Sequence, residues 1–207
     1  MIAGDNHPPL AGGTGGAMLI FLIAIALLTI VLYAMYVKLI TKRNQAREAL
    51  SSIDVQLRQR HDLIPNVVTL AQKFMTHERE VLEGVIAARN KAQAPYRPDD
   101  PKAVRQHLEA ESQLSAGLSR LFAVAEAYPE LRSSETILTA QQTLNEVEGH
   151  IAAARRFYNS AVTDLNNSVE IFPSSMVAGL VGVQKMPFYE IEDAAARQPV
   201  NVADYMK

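Results

Sequence analysis

From Ala17 to Val37 the chain reads AMLIFLIAIALLTIVLYAMYV, without a charge and with Thr29 as its one ordinary polar residue. At 1.5 Å per residue these 21 residues would span roughly 31 Å as a helix, about one hydrocarbon core. A core helix in a soluble domain carries an apolar stripe rather than apolar residues on every face. The run therefore predicts a single transmembrane helix over 17–37.

Beyond it the pattern changes character. Apolar residues recur at alternating spacings of three and four, the stripe of a bundle helix rather than the alternation of a strand. A first stretch holds Leu50, Ile53, Leu57 and Ile64, and a second Val68, Ala71, Met75, Leu82 and Val85. A third holds Val104, Leu108, Leu114, Leu118, Leu121 and Ala125, and a fourth Ile137, Leu144, Val147, Ile151, Tyr158, Val162, Leu165 and Val169. The expected fold is all-α: one membrane helix followed by an antiparallel helix bundle over 38–173.

Breaks between the stretches are few. RHDLIPN (60–66) contains Pro65, which removes a backbone donor and disfavours helical geometry at Ile64. APYRPDDP (94–101) is a loop in which Asp99 or Asp100 is placed to cap and Pro101 suits the first helical turn. AYPELRSS (127–134) stops the third helix at Pro129 and offers Ser133 or Ser134 as the next cap. Phe172-Pro173 ends the fourth. A hairpin at 60–66 gives helices of matched length over about 40–62, 66–94, 102–127 and 134–171, the arrangement preferred here. A mere kink at Pro65 leaves 40–62 projecting from the membrane, its stripe in need of a coiled-coil partner from another chain. Four alternating helices return the chain to the membrane, so the apolar segment within 174–190 either caps the bundle or touches the headgroups. The tail over 191–207 reads as disordered.

Composition narrows the chemistry. The 207 residues carry a formal net charge of −2 and no cysteine, so nucleic-acid binding, disulfides and thiolate sites are not expected. Five of the ten glycines fall before residue 17, and residues 1–16 read as a flexible segment on the far side of the membrane. No Lys or Arg precedes the apolar run, which argues against a cleaved signal peptide. Lys38, Lys42, Arg43 and Arg47 follow it directly. The positive-inside rule places them, and the domain, in the cytoplasm, with the four charges near anionic headgroups.

Asp54, Arg58 and Asp62 are four apart and form an ion-pair stripe on an intact helix. His61 falls on the apolar seam between Leu57 and Ile64, where its ring would meet a Glu, Tyr or Arg across the bundle. HDLIPN is similar to the phosphoacceptor box of sensor histidine kinases, but Pro65 falls one residue early and no α/β ATP-binding segment follows. The His77-Glu78 and His61-Asp62 pairs are adjacent and point about 100° apart on a helix. Glu146-Val147-Glu148-Gly149-His150 has no matching partner, and there is no HExxH. The expectation is a protein without catalytic, cofactor or metal site.

Five blocks then resemble the LemA family of bacterial membrane proteins. They are RNQAREALSSIDVQLRQRHDLIPNVV (43–68), HEREVLEGVIAAR (77–89), LFAVAEAYPELRSS (121–134), EGHIAAARRFYNSAV (148–162) and FPSSMVAGLVG (172–182). The resemblance implies a short external N-terminus, one membrane helix, a cytoplasmic bundle and no established catalysis; some such relatives are associated with organising internal membranes, notably magnetosomes. The extension over 1–16 departs from relatives that begin close to the membrane segment. Carried onto this chain, the motif marks Asp54, Gln56, Arg60, Asp62, Pro65, Asn66, His77, Glu78, Arg89, Glu126, Tyr128, Pro129, Arg155, Tyr158, Asn159 and Pro173. With the 60–66 and 127–134 corners at one end, Glu126 would neutralise Arg60 and Tyr128 would pack on Pro65. The function expected is a non-enzymatic scaffold in the bacterial inner membrane, partnered by the bilayer and by further copies of itself. The alternative is a signalling or envelope-stress adaptor that binds other proteins. A metal-dependent hydrolase ranks third.

Overall fold

The computed structural model describes residues 13–132 and 134–190; the expectations for 1–12, for Ser133 and for the tail over 191–207 lie outside the described residues. Six helices and no strand are present among them. The first, α1 (Gly13–Gln72), runs for 60 residues without interruption, roughly 90 Å at helical rise. Residues 15–34 are exposed throughout, so the apolar run has no packing partner within the bundle. From Leu39 onward α1 presents one buried stripe: Leu39, Ala46, Leu50, Ile53, Leu57, Ile64, Val68 and Ala71.

The preferred hairpin at 60–66 is not present. Pro65 lies inside α1, and the chain reverses instead over 73–78, where Met75 is buried under the turn. The physical reason lies at His61. A proline donates nothing to the carbonyl four residues back, and here Arg89 Nε donates to His61 O at 2.7 Å in its place. The carbonyl that Pro65 orphans is thus satisfied from a neighbouring helix. Residues 40–62 do not project alone either, because α1 from Leu39 onward packs on α5 (Glu135–Glu170).

The remaining elements are α2 (Arg79–Ala92), α3 (Pro101–Ala125), a single turn α4 (Pro129–Arg132) and α6 (Ser174–Val181). Helix α2 packs on α3 as α1 does on α5. Asp100 caps α3, accepting from Lys102 N at 2.9 Å with Pro101 in the first turn. Helix α3 ends at Ala125, two residues before the expected end near 127, and Pro129 starts α4 instead of merely ending α3. Gly182, at φ 68°, ends α6 in the left-handed geometry that glycine adopts without strain. From there residues 183–190 form an extended strap that turns back along α5.

Two apolar clusters fill the bundle. The one nearer the apolar run joins Leu39, Leu50, Ile53 and Leu57 to Val104, Tyr158, Val162, Leu165, Val177 and Tyr189. The distal one joins Ile64, Val68 and Met75 to Leu82, Val85, Leu114, Leu121, Leu131 and Leu144.

Candidate functional site

Between the two clusters lies a polar layer. Arg60 and Glu111 are both wholly buried (0% exposed) and His61 nearly so. Arg60 falls on the α1 stripe three residues after Leu57, so its guanidinium enters the core. There Nη2 pairs with Glu111 Oε2, and Nη1 donates to Ser115 Oγ at 2.6 Å and to Glu148 Oε1 at 2.8 Å. His61 Nε2 sits 3.0 Å from Glu111 Oε1. Burial works against the Arg60 charge, and the carboxylates of Glu148 and Glu111 outweigh it, leaving its pKa raised. The guanidinium is therefore a fixed cation held by carboxylates from α3 and α5.

A second polar group lies closer to the apolar run, around Asp54, six residues before Arg60 on α1. Tyr96, in the loop before α3, donates to Asp54 (3.0 and 2.8 Å to its two oxygens) and stacks on His107 at 4.0 Å between centroids. Burial and the Asp54 carboxylate raise its pKa well above the ordinary phenol range. Tyr158 is likewise raised, by burial first and then by Asp54, and its hydroxyl donates to Pro187 O at 2.8 Å.

The strap is clasped by two asparagine amides seven residues apart. Asn159 accepts from Tyr189 N at 2.9 Å and donates to Tyr189 O at 3.1 Å. Asn166 does the same for Met186, at 2.9 Å each way. Arg155 stands over the Tyr189 ring at 5.5 Å, and Tyr189, pushed up to about 12 chiefly by burial, stays neutral. The strap also lines an open groove with Arg105, Leu108 and Ser112 of α3.

Several sequence expectations change here. Glu126 does not reach Arg60: it is exposed at the C-terminal end of α3, and Glu111 and Glu148 neutralise the arginine. Tyr128 does not pack on Pro65; its hydroxyl donates to Glu78 Oε1 at 3.3 Å, joining the 73–78 turn to the α3–α4 corner. Asp54, Arg58 and Asp62 do not form an ion-pair stripe, because Asp54 faces Tyr96 while Arg58 and Asp62 are exposed. Gln56 is half-buried, whereas Asn66, His77, Pro129 and Pro173 lie exposed. Among the basic residues after the apolar run, Lys42 pairs with Asp164 at 2.5 Å and Arg47 with Asp99. Lys38 is exposed and Arg43 half-buried. His61 does meet a glutamate across the bundle.

Glu111 was missed by the motif reading, although it sits on the α3 seam three residues from both Leu108 and Leu114. A carboxylate on an apolar seam signals a buried partner, and the buried seam arginine is that partner. Tyr96, His107 and Asn166 gave no such signal, since their partners lie far away in the chain. Among the described residues no group of three or more His, Asp or Glu side chains is arranged to hold a metal ion.

An exposed, wholly apolar helical run continuous with an antiparallel bundle defines a membrane-associated all-α protein. The LemA family profile matches residues 49–203, three-quarters of the sequence, and the chain belongs to the LemA family. It is 30% identical over 93 residues to Magnetosome protein MamQ 2 of Paramagnetospirillum magneticum, covering 45% of this chain and 34% of that protein. It is 26% identical over 101 residues to Magnetosome protein MamQ of Magnetospirillum gryphiswaldense, covering 49% and 37%. The chain thus spans about a third of the length of these curated relatives.

Proposed function

We propose that this protein is a non-enzymatic scaffold, held in the bacterial inner membrane by α1 with its bundle on the cytoplasmic side, that self-associates and helps organise that membrane. One observation carries the reading: the apolar run and the central bundle helix are the same uninterrupted helix. A linker would let the domain tumble above the bilayer. A continuous helix instead sets the height and tilt of every copy, and confinement to two dimensions raises the effective concentration at which weak lateral contacts assemble. The Lys38, Lys42, Arg43 and Arg47 cluster supports the orientation, and the magnetosome name of the MamQ relatives supports a role at an internal membrane. The buried charges are committed to one another, and the tyrosines with raised pKa are poor proton donors, which supports a structural rather than catalytic layer.

The test is the mass of full-length particles extracted in native lipid discs, without detergent. Assemblies larger than one copy are expected; a uniform monomer at physiological abundance overturns the scaffold reading. Orientation is tested independently. The chain lacks cysteine, so Ala3→Cys should react with an impermeant maleimide in spheroplasts and Thr76→Cys only after lysis.

The adaptor reading is favoured by one feature, the open groove that the strap lines with Arg105, Leu108 and Ser112 of α3. A defined partner recovered by in-cell crosslinking at this groove, in particles holding a single copy, would select it.

A further inference from the structure

The charge-free stretch from Ile171 to Gln184 has two faces. Val177 and Ala178 of α6 are buried in the cluster that contains Leu39 and against which Met35 packs. The other side exposes Phe172 (74%), Met176 (63%) and Leu180 (85%), four residues apart in the chain. The stretch therefore caps the bundle with one face and leaves an apolar ridge on the other.

The height of that ridge follows from the register of α5 on α1. Arg60 pairs with Glu148 and Lys42 with Asp164. Continued in the same antiparallel register, Ile171 and Phe172 come level with Met35–Val37, the end of the apolar run. Leu39, on which α6 packs, lies only two residues beyond Val37, roughly 3 Å at helical rise. The headgroup layer on each side of a hydrocarbon core is roughly 5–8 Å deep. A bundle held by α1 thus carries α6 inside that layer.

We infer that α6 with Phe172 is a second membrane element, an interfacial helix whose Phe172, Met176 and Leu180 ridge inserts at the headgroup and acyl boundary beside the α1 span. The occupant of the ridge is lipid. The ridge continues the exposed apolar surface of α1 at the same height, and Lys38, exposed at that level, draws anionic headgroups to it. An uncharged helix with one buried and one apolar exposed face is suited to that boundary and not to water. Two membrane contacts, one spanning and one lying flat, fix the rotation of the bundle about the α1 axis as well as its height. This rests on the reading that α1 spans the bilayer and adds the lateral contact to it.

The chain has no tryptophan, so single reporters test the arrangement directly. Full-length Leu180→Trp and Phe172→Trp are reconstituted in phosphatidylcholine–phosphatidylglycerol vesicles whose acyl chains are brominated either near the headgroup or near the methyl end. Leu27→Trp reports the span and Val55→Trp the exposed bundle surface. Residues 172 and 180 are expected to emit to the blue of residue 55 and to lose roughly half their intensity to shallow bromines. Residue 27 should be quenched by deep bromines and residue 55 by neither. Quenching at 27 without quenching at 180 and 172 overturns the interfacial helix while leaving the span intact. Blue-shifted but unquenched emission at 180 assigns the ridge to protein, a second copy included, and overturns lipid as its occupant. No quenching at 27 overturns the span and this inference with it. Leu180 is 85% exposed, so Leu180→Glu folds normally and serves as the control: it should abolish shallow quenching of the tryptophan in Phe172→Trp.

Discussion

The two ends of the bundle solve the same packing problem with different materials. The distal half is four helices side by side: α1, α2, α3 and α5, with apolar seams meeting in one cluster. Helix α2 is only 14 residues long and stops beside the polar layer. Toward the membrane its place is taken by the loop over 93–100, while the strap over 183–190 lies along α5. Helices satisfy their own backbone groups, so apart from the His61 carbonyl that Arg89 satisfies the distal half rests chiefly on apolar complementarity. Extended segments do not, and each must find partners for its amides and carbonyls. The proximal half therefore spends Tyr158, Asn159 and Asn166 on that task. The Arg60–Glu111 layer is where one regime hands over to the other.

The comparison breaks most readily at that layer. Glu111→Leu leaves a buried guanidinium with one of its two carboxylates and should cost about 3–5 kcal/mol in chemical denaturation of the solubilised full chain. Arg60→Met combined with Glu111→Leu should recover most of that loss, since an apolar pair of similar volume removes the unpaired charge.

The proximal half should be the one that fails in alkali. The folded pKa of Tyr189 is raised by burial to about 12, above an unfolded value near 10. Its contribution is therefore full below pH 10 and lost progressively as pH rises from 10 to about 12, reaching about 2–3 kcal/mol. Circular dichroism across that window should show a shallower loss of stability for Tyr189→Phe than for the parent chain.

In the distal half the sharpest test is the substitute donor at Pro65. Arg89→Met orphans the His61 carbonyl and should cost about 1–3 kcal/mol. In a Pro65→Ala background the alanine N–H restores the helical bond, so the same Arg89→Met change should cost much less. A double-mutant cycle with no coupling between positions 65 and 89 would refute the compensation. Last in size, Asn166→Ala removes a donor and an acceptor from Met186 and should cost about 1–2 kcal/mol. Limited proteolysis should then release the strap first, with α2 and α3 still protected from hydrogen exchange.

Much of this fold was legible because it is written in local periodicity. The apolar run at Ala17–Val37, the all-α class, an aspartate cap at 99 or 100 ahead of Pro101, and the end of α5 before Phe172-Pro173 all follow from side-chain pattern and backbone rules. A polar partner for His61 was legible too, since a histidine on an apolar seam requires one, though not which of Glu, Tyr or Arg supplies it. The corner was not. Local rules place it at Pro65, and they fail because the compensating donor is Arg89, contributed by another helix.

By itself, then, the sequence determined the elements: one apolar helical run, a set of amphipathic helices, and a basic flank between them. Those properties depend on residues within a turn or two of each other. Only the tertiary structure decided that α1 runs unbroken from the apolar run to Gln72, that Glu111 rather than Glu126 neutralises Arg60, and that the strap returns along α5. Each of these depends on a polar group finding its partner across the bundle, and no spacing along the chain specifies such a partner in advance.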